Sequence, residues 1–155
     1  MHKGLINIAL LVAVILTACG DNAIYNTQID LPKEGWSTTD TQFFEVDMTE
    51  VTTPVSVTAK FRITPEYPKE NLYLKIFTIA PDGKQEERVV SITLADAFGK
   101  WTGKGVGDLL AYEHTFIANT LLNQGVYKFG VMQYMRYDVL PEVHDVGIMV
   151  TPVAN

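Results

Sequence analysis

Ten consecutive residues, Val55-Ser56-Val57-Thr58-Ala59-Lys60-Phe61-Arg62-Ile63-Thr64, alternate apolar and polar without a break. Side chains of an extended chain point to opposite faces in turn, so such a run is a strand with one face in a core and one in water. Phe44-Glu45-Val46-Asp47-Met48 alternates in the same way, and so does Arg88 to Leu94, with Val90, Ile92 and Leu94 on one face. Asn71 to Ile79 is apolar on both faces, which predicts a central strand covered on both sides. Tyr112 to Ile117, Gly125 to Met135 and Val146 to Val150 complete the strand set. No segment combines a helical period with caps, and Leu94 to Phe98 offers one helical turn at most.

Turn chemistry falls between these runs. Pro81-Asp82-Gly83-Lys84 is a hairpin signal: proline fixes φ, aspartate bonds back to the backbone and glycine accepts φ > 0. Asn123-Gln124-Gly125 predicts a second turn, and Pro65 to Lys69 a loop that cannot pair continuously. Seven or eight short strands at this spacing predict an all-β protein, a single-domain antiparallel β-sandwich of jelly-roll or immunoglobulin-like connectivity.

Cys19, the only cysteine, closes Leu16-Thr17-Ala18-Cys19 behind a short basic start and the apolar run Leu5 to Leu16. This is the pattern of a bacterial lipoprotein signal, with Cys19 as the acylated residue after cleavage. The apolar run has 12 residues, well short of the roughly 20 that span a hydrocarbon core. A plain secretory signal would leave a lone thiol in an oxidising compartment. Each buried methylene contributes on the order of 0.8 kcal/mol, so two or three acyl chains anchor stably. The expected organisation is a signal peptide over 1–18, an acylated cysteine and tether over 19–41, and the sandwich over 42–155. Trp36 stands in this polar tether, placed to dock on the domain.

Loss of residues 1–18 leaves 137 residues and takes the formal charge from −6 to −7. An acidic chain argues against nucleic acid or anionic lipid as partner. With Cys19 acylated, no thiol remains for redox chemistry or metal thiolate ligation.

The stretch Asp96 to Asp108 holds Gly99, Gly103, Gly105 and Gly107 together with Lys100, Trp101 and Lys104. It fits neither phosphate-loop nor dinucleotide spacing. It reads as a glycine-rich crossover, or else as a ligand surface on which Trp101 stacks and Asp108 hydrogen-bonds. Tyr67 and Arg136 are the other candidate contacts for a ligand or partner. His114 lies on the inward face with Tyr112 and Phe116 and reads as a half-buried imidazole. His144-Asp145 would need further ligands from the fold to hold a metal. Ser37, Ser56 and Ser91 are the only serines, and none stands in a nucleophile elbow. No catalytic residue, metal or cofactor is expected, and the chain is expected not to be an enzyme.

The lipobox, the tryptophan-bearing tether, Tyr67-Pro68-Lys69-Glu70-Asn71-Leu72-Tyr73-Leu74, Pro81 to Lys84, Gly99 to Asp108 and Asp145-Val146-Gly147-Ile148, in this order, resemble the gliding motility-associated lipoprotein family GldH of the Bacteroidetes. The resemblance covers nearly the whole mature chain, and its most specific part is the glycine–tryptophan run. It implies a non-catalytic outer-membrane lipoprotein within an envelope protein complex serving gliding and the associated secretion of surface proteins. No catalytic residues come with it, only the acylated Cys19. Gly20 after the cysteine does not suggest inner-membrane retention. Asp21 alone falls short of an acidic export cluster, so the periplasmic face is expected. The alternative is a glycan-binding module on the same anchor, using Trp101 and nearby tyrosines. A binding module requires exposed aromatics beside a groove. A scaffold requires Trp101 packed into the domain and an apolar patch elsewhere.

Overall fold

The computed structural model describes residues 22–154, and the signal peptide and Cys19 lie outside them. These residues form β1 (Tyr25–Asp30), β2 (Trp36–Ser37), β3 (Gln42–Asp47), β4 (Val55–Ile63), β5 (Asn71–Ile79), β6 (Gln85–Thr93), β7 (Lys104–Val106), β8 (Leu109–Thr120), β9 (Val126–Gln133), β10 (Val139–Leu140) and β11 (Val143–Pro152). Every strand pair is antiparallel.

One sheet has the order β1-β11-β4-β8-β7 and the other β3-β9-β5-β6. Numbering the eight long strands along the chain turns these orders into 1-8-3-6 and 2-7-4-5. That interleaving is the double Greek key of a jelly roll, so the immunoglobulin-like alternative falls away. The alternation in β4 does what its sequence requires: Val55, Val57, Ala59, Phe61 and Ile63 are all fully buried. They meet Phe44, Val46, Leu72, Leu74, Ile76, Phe129 and Val131 from the opposite sheet in one core. Phe116 on β8 and Phe129 on β9 touch edge-on across the sandwich at 5.8 Å between centroids.

The structure departs from several of these expectations. The span read as a tether, 19–41, contributes to the domain from Tyr25 onward. Its residues 25–30 pair with 150–145 of β11 as the edge of the larger sheet. Tyr25-Asn26-Thr27-Gln28-Ile29-Asp30 has too few apolar side chains to announce a strand, because an edge strand buries little of itself. Trp36 is fully buried beside Leu140, its β10 partner, and its indole N–H donates to the Asp40 carbonyl at 2.7 Å. β5 lies inside its sheet, between β9 and β6, but only its inner face is covered. With no helix among the described residues, no second layer overlies its outer face, where Tyr73 is exposed and Lys75, Phe77 and Ile79 are half-buried. Leu94 to Phe98 forms no helical turn. Asp96 instead accepts the backbone N–H groups of Phe98 and Lys100 at 2.9 and 3.0 Å, an Asx-type turn.

The β5–β6 hairpin closes where its sequence puts it: Ala80 donates to the Lys84 carbonyl, and Asp82 accepts the Lys84 N–H at 2.9 Å. The glycine run is not one crossover. Trp101 bridges to Ala95, and Lys104–Val106 then forms β7 against β8. Gly107, with φ at +60°, turns that hairpin in two residues.

Candidate functional site

The sequence-derived contacts scatter. Trp101 is half-buried against the core and meets the Tyr67 ring edge-on at 6.5 Å. Tyr67 is buried, and its hydroxyl donates to the Asn71 carbonyl at 3.1 Å. Burial raises the Tyr67 pKa well above the phenol range, so the ring stays neutral. Asp108 is exposed in the β7–β8 turn and makes no hydrogen bond among the described residues. Arg136 is exposed in the segment after β9. Only Tyr67 and Trp101 come together, and they do so as packing rather than as a platform.

His144 and Asp145 do gain a third group from the fold. Asp30, their register neighbour on β1, brings a ligand atom within 4.8 Å of theirs. The buried carboxylate of Asp145 is already filled, however. Arg62 Nε donates to it at 2.6 Å and a second guanidinium nitrogen pairs with it. Gln28 Nε2 donates to its other oxygen at 2.8 Å, and His144 Nδ1 lies 2.8 Å from the first. The carboxylate raises the Arg62 pKa, holding the guanidinium charged. A fixed cation occupies the centre of the cluster, which therefore acts as an ion-pair lock tying β1, β4 and β11 together.

The feature that periodicity concealed is the outer face of the four-stranded sheet. The register sets Phe43, Gly130, Phe77 and Glu87 in one row across β3, β9, β5 and β6. The next row is Met132, Lys75 and Val89, and the one beyond it Tyr134, Tyr73 and Ser91. Phe43 is 44% exposed, Tyr73 41%, Val89 47%, Val126 52% and Tyr134 50%. Gly130 is what lets Phe43 lie flat, since a Cβ there would sit 2.6 Å from its ring. Lys128 Nζ stands 4.7 Å from the Phe43 centroid, and Lys75 Nζ 4.9 Å from that of Tyr134. Exposed Phe43, Tyr73, Val89, Val126 and Tyr134 thus share one face, and apolar side chains grouped in this way are what a partner can cover. The signal for it was in the sequence: Tyr73, Phe77 and Ile79 interrupted by Lys75, in a chain with no helix to cover them.

Two hollows indent this face. One, of about 420 Å³, is lined by Phe43, Phe77, Ile79, Gln85, Glu86 and Glu87. The other, of about 630 Å³, is lined by Lys69, Tyr73, Val89, Tyr134, Met135, Arg136 and Tyr137.

A family model described as GldH lipoprotein matches residues 23–150. The chain belongs to the GldH lipoprotein family. Membership makes it a gliding-motility-associated, membrane-anchored lipoprotein, and its β1 strand lies inside the family's span. No helix among the described residues is long and apolar enough to cross a membrane. No curated protein matches the chain. Among solved structures it is similar to a carbohydrate-binding module specific for non-crystalline cellulose, at 13% identity over 83% of this chain and 73% of that one, with a TM-score of 0.45. It is also similar to VP2 of infectious bursal disease virus, at 12% identity over 82% of this chain and 29% of that one, with a TM-score of 0.27.

Proposed function

We propose that this GldH-family chain is an outer-membrane lipoprotein, held on the periplasmic face by a lipid on Cys19. It acts without catalysis as a docking part of the envelope machinery for gliding and its associated secretion. The observation that carries the reading is the apolar outer face of the four-stranded sheet, where exposed Phe43 stands beside half-buried Phe77. Trp101, packed edge-on against Tyr67, supports a scaffold over a glycan platform at that residue. Among the described residues Asp145 is the one buried acidic group, and Arg62 neutralises it in place, which supports a structural role for its cluster with Asp30 and His144.

Cross-linking in living cells tests this, with the tagged lipoprotein compared with Cys19→Ala and with Phe43→Ser/Phe77→Ser. Gliding or secretion components should accompany the wild type and be lost from both variants. Recovery of bulk envelope proteins alone, or of the same components with the Phe43→Ser/Phe77→Ser variant, would remove the docking role from this face.

A further inference from the structure

The second hollow on this face differs chemically from the first, and we infer that it is a binding site for an anionic saccharide. Its Tyr73 and Tyr134 lie two register rows along the sheet face from Phe43, and the site stands independently of the docking role proposed there. Tyr73 and Tyr134, at 41% and 50% exposure, supply aromatic faces, and Lys69 and Arg136 supply charge. No aspartate or glutamate lines it, although the chain as a whole carries a net charge of −6. Lys69 and Arg136 are exposed and form no ion pair among the described residues. Lys75, which packs over Tyr134, is instead neutralised by Glu87 at 3.7 Å. Two unpaired cations in an acid-free hollow of an acidic protein select an anionic occupant.

The backbone argues for a sugar rather than a peptide. Extended peptides bind by pairing with an open strand edge. Here the hollow lies on a sheet face, where Tyr134 N–H already donates to the Tyr73 carbonyl and Tyr73 N–H faces Met135 Sδ at 3.2 Å. An open backbone edge of this sheet is the far side of β6; on the face itself side chains are what is offered: aromatic rings for the apolar faces of sugar rings, phenol hydroxyls for sugar hydroxyls, and Lys69 and Arg136 for a carboxylate, sulfate or phosphate. A volume of about 630 Å³ falls within the roughly 300–1,000 Å³ of small-ligand sites.

Calorimetry on the full lipoprotein in detergent tests the site. The probes are oligogalacturonate, a sulfated heparin oligosaccharide, a phosphorylated mannan oligosaccharide, neutral cello-oligosaccharide of matched length, and poly-glutamate. At least one acidic saccharide should bind saturably and more weakly as salt rises. Its affinity should fall about tenfold or more, at least 1.4 kcal/mol, in Tyr73→Ala and in Arg136→Gln, and remain unchanged in Phe43→Ala. Arg136 is exposed and forms no ion pair among the described residues, so loss of fold does not account for the effect of Arg136→Gln. The inference is overturned if no acidic saccharide binds, if cello-oligosaccharide or poly-glutamate binds as well, or if both variants bind like wild type.

Discussion

Gly103 faces the Tyr112 ring so closely that an added Cβ would lie 2.5 Å from two of its carbons. Tyr112 cannot swing away, because its hydroxyl donates to the Leu94 carbonyl at 2.7 Å and its ring stacks on Phe61. Gly103→Ala should therefore cost about 1–3 kcal/mol by overpacking, read as a shift in the urea midpoint. An unchanged midpoint would show that the ring adapts freely. At Asp145 the charge decides. Arg62→Met leaves a buried carboxylate with only Gln28 and His144 as partners. The Arg62 side chain is 29% exposed, so the expected loss is about 2–3 kcal/mol, below the ~3–5 kcal/mol of a fully buried pair. Adding Asp145→Asn should recover part of it, and a double variant no more stable than the single would count against an electrostatic cause. His114 gives a pH signature. Burial, and then the Arg88 charge, hold its pKa below the ordinary 6.5. Just below pH 6.5 the unfolded chain then binds more protons than the folded one, so stability falls as pH drops through that window and levels off beneath the folded pKa. His114→Gln should shrink the fall, and melting curves with equal pH slopes for the two proteins would refute it.

Among the elements, β1 shows how a strand can matter without announcing itself. Its burial is slight, yet it covers the backbone edge of β11 over six register pairs, from Tyr25↔Val150 to Asp30↔Asp145. Behind that edge stand Val146, Ile148 and Val150, all fully buried. A chain starting at Leu31 would expose a long apolar strand edge, which invites pairing between molecules. Such a truncation should shift the protein from monomer to aggregate in size-exclusion chromatography. A monomeric, cooperatively folding product would mean that β1 is dispensable. β4 and the β5–β6 hairpin are the opposite case. Strict alternation and a Pro-Asp-Gly turn fixed their ends locally, and the paired registers Asn71↔Thr93 to Ile79↔Gln85 follow from the turn.

For the whole molecule, the lipid and the sandwich divide the work. No helix among the described residues is long and apolar enough to cross a membrane, and under the proposed function the acyl chains at Cys19 carry the attachment. Under the proposed location, Cys19→Ala should move the protein from the outer-membrane fraction to the soluble fraction in density-gradient fractionation, with its melting temperature unchanged once in solution. Retention in the membrane would require a second attachment, for which the aromatic outer face would be the first place to look.

Strand positions, hairpin turns, the all-β class and the family pattern were legible in the chain itself, because alternation and turn chemistry are local and recur wherever one face is buried. Three things were not. The jelly-roll order depends on which strands pair across long sequence separations, and period-2 patterning is the same for either connectivity. Asp30, Arg62 and Asp145 meet only when β1, β4 and β11 align, so no spacing connects them. The outer face of β5 looked like a second buried face because hydrophobic composition records what a surface can bury, while only the tertiary structure decides what lies above it. Over Tyr73 and Tyr134, both exposed, no helix or strand among the described residues does.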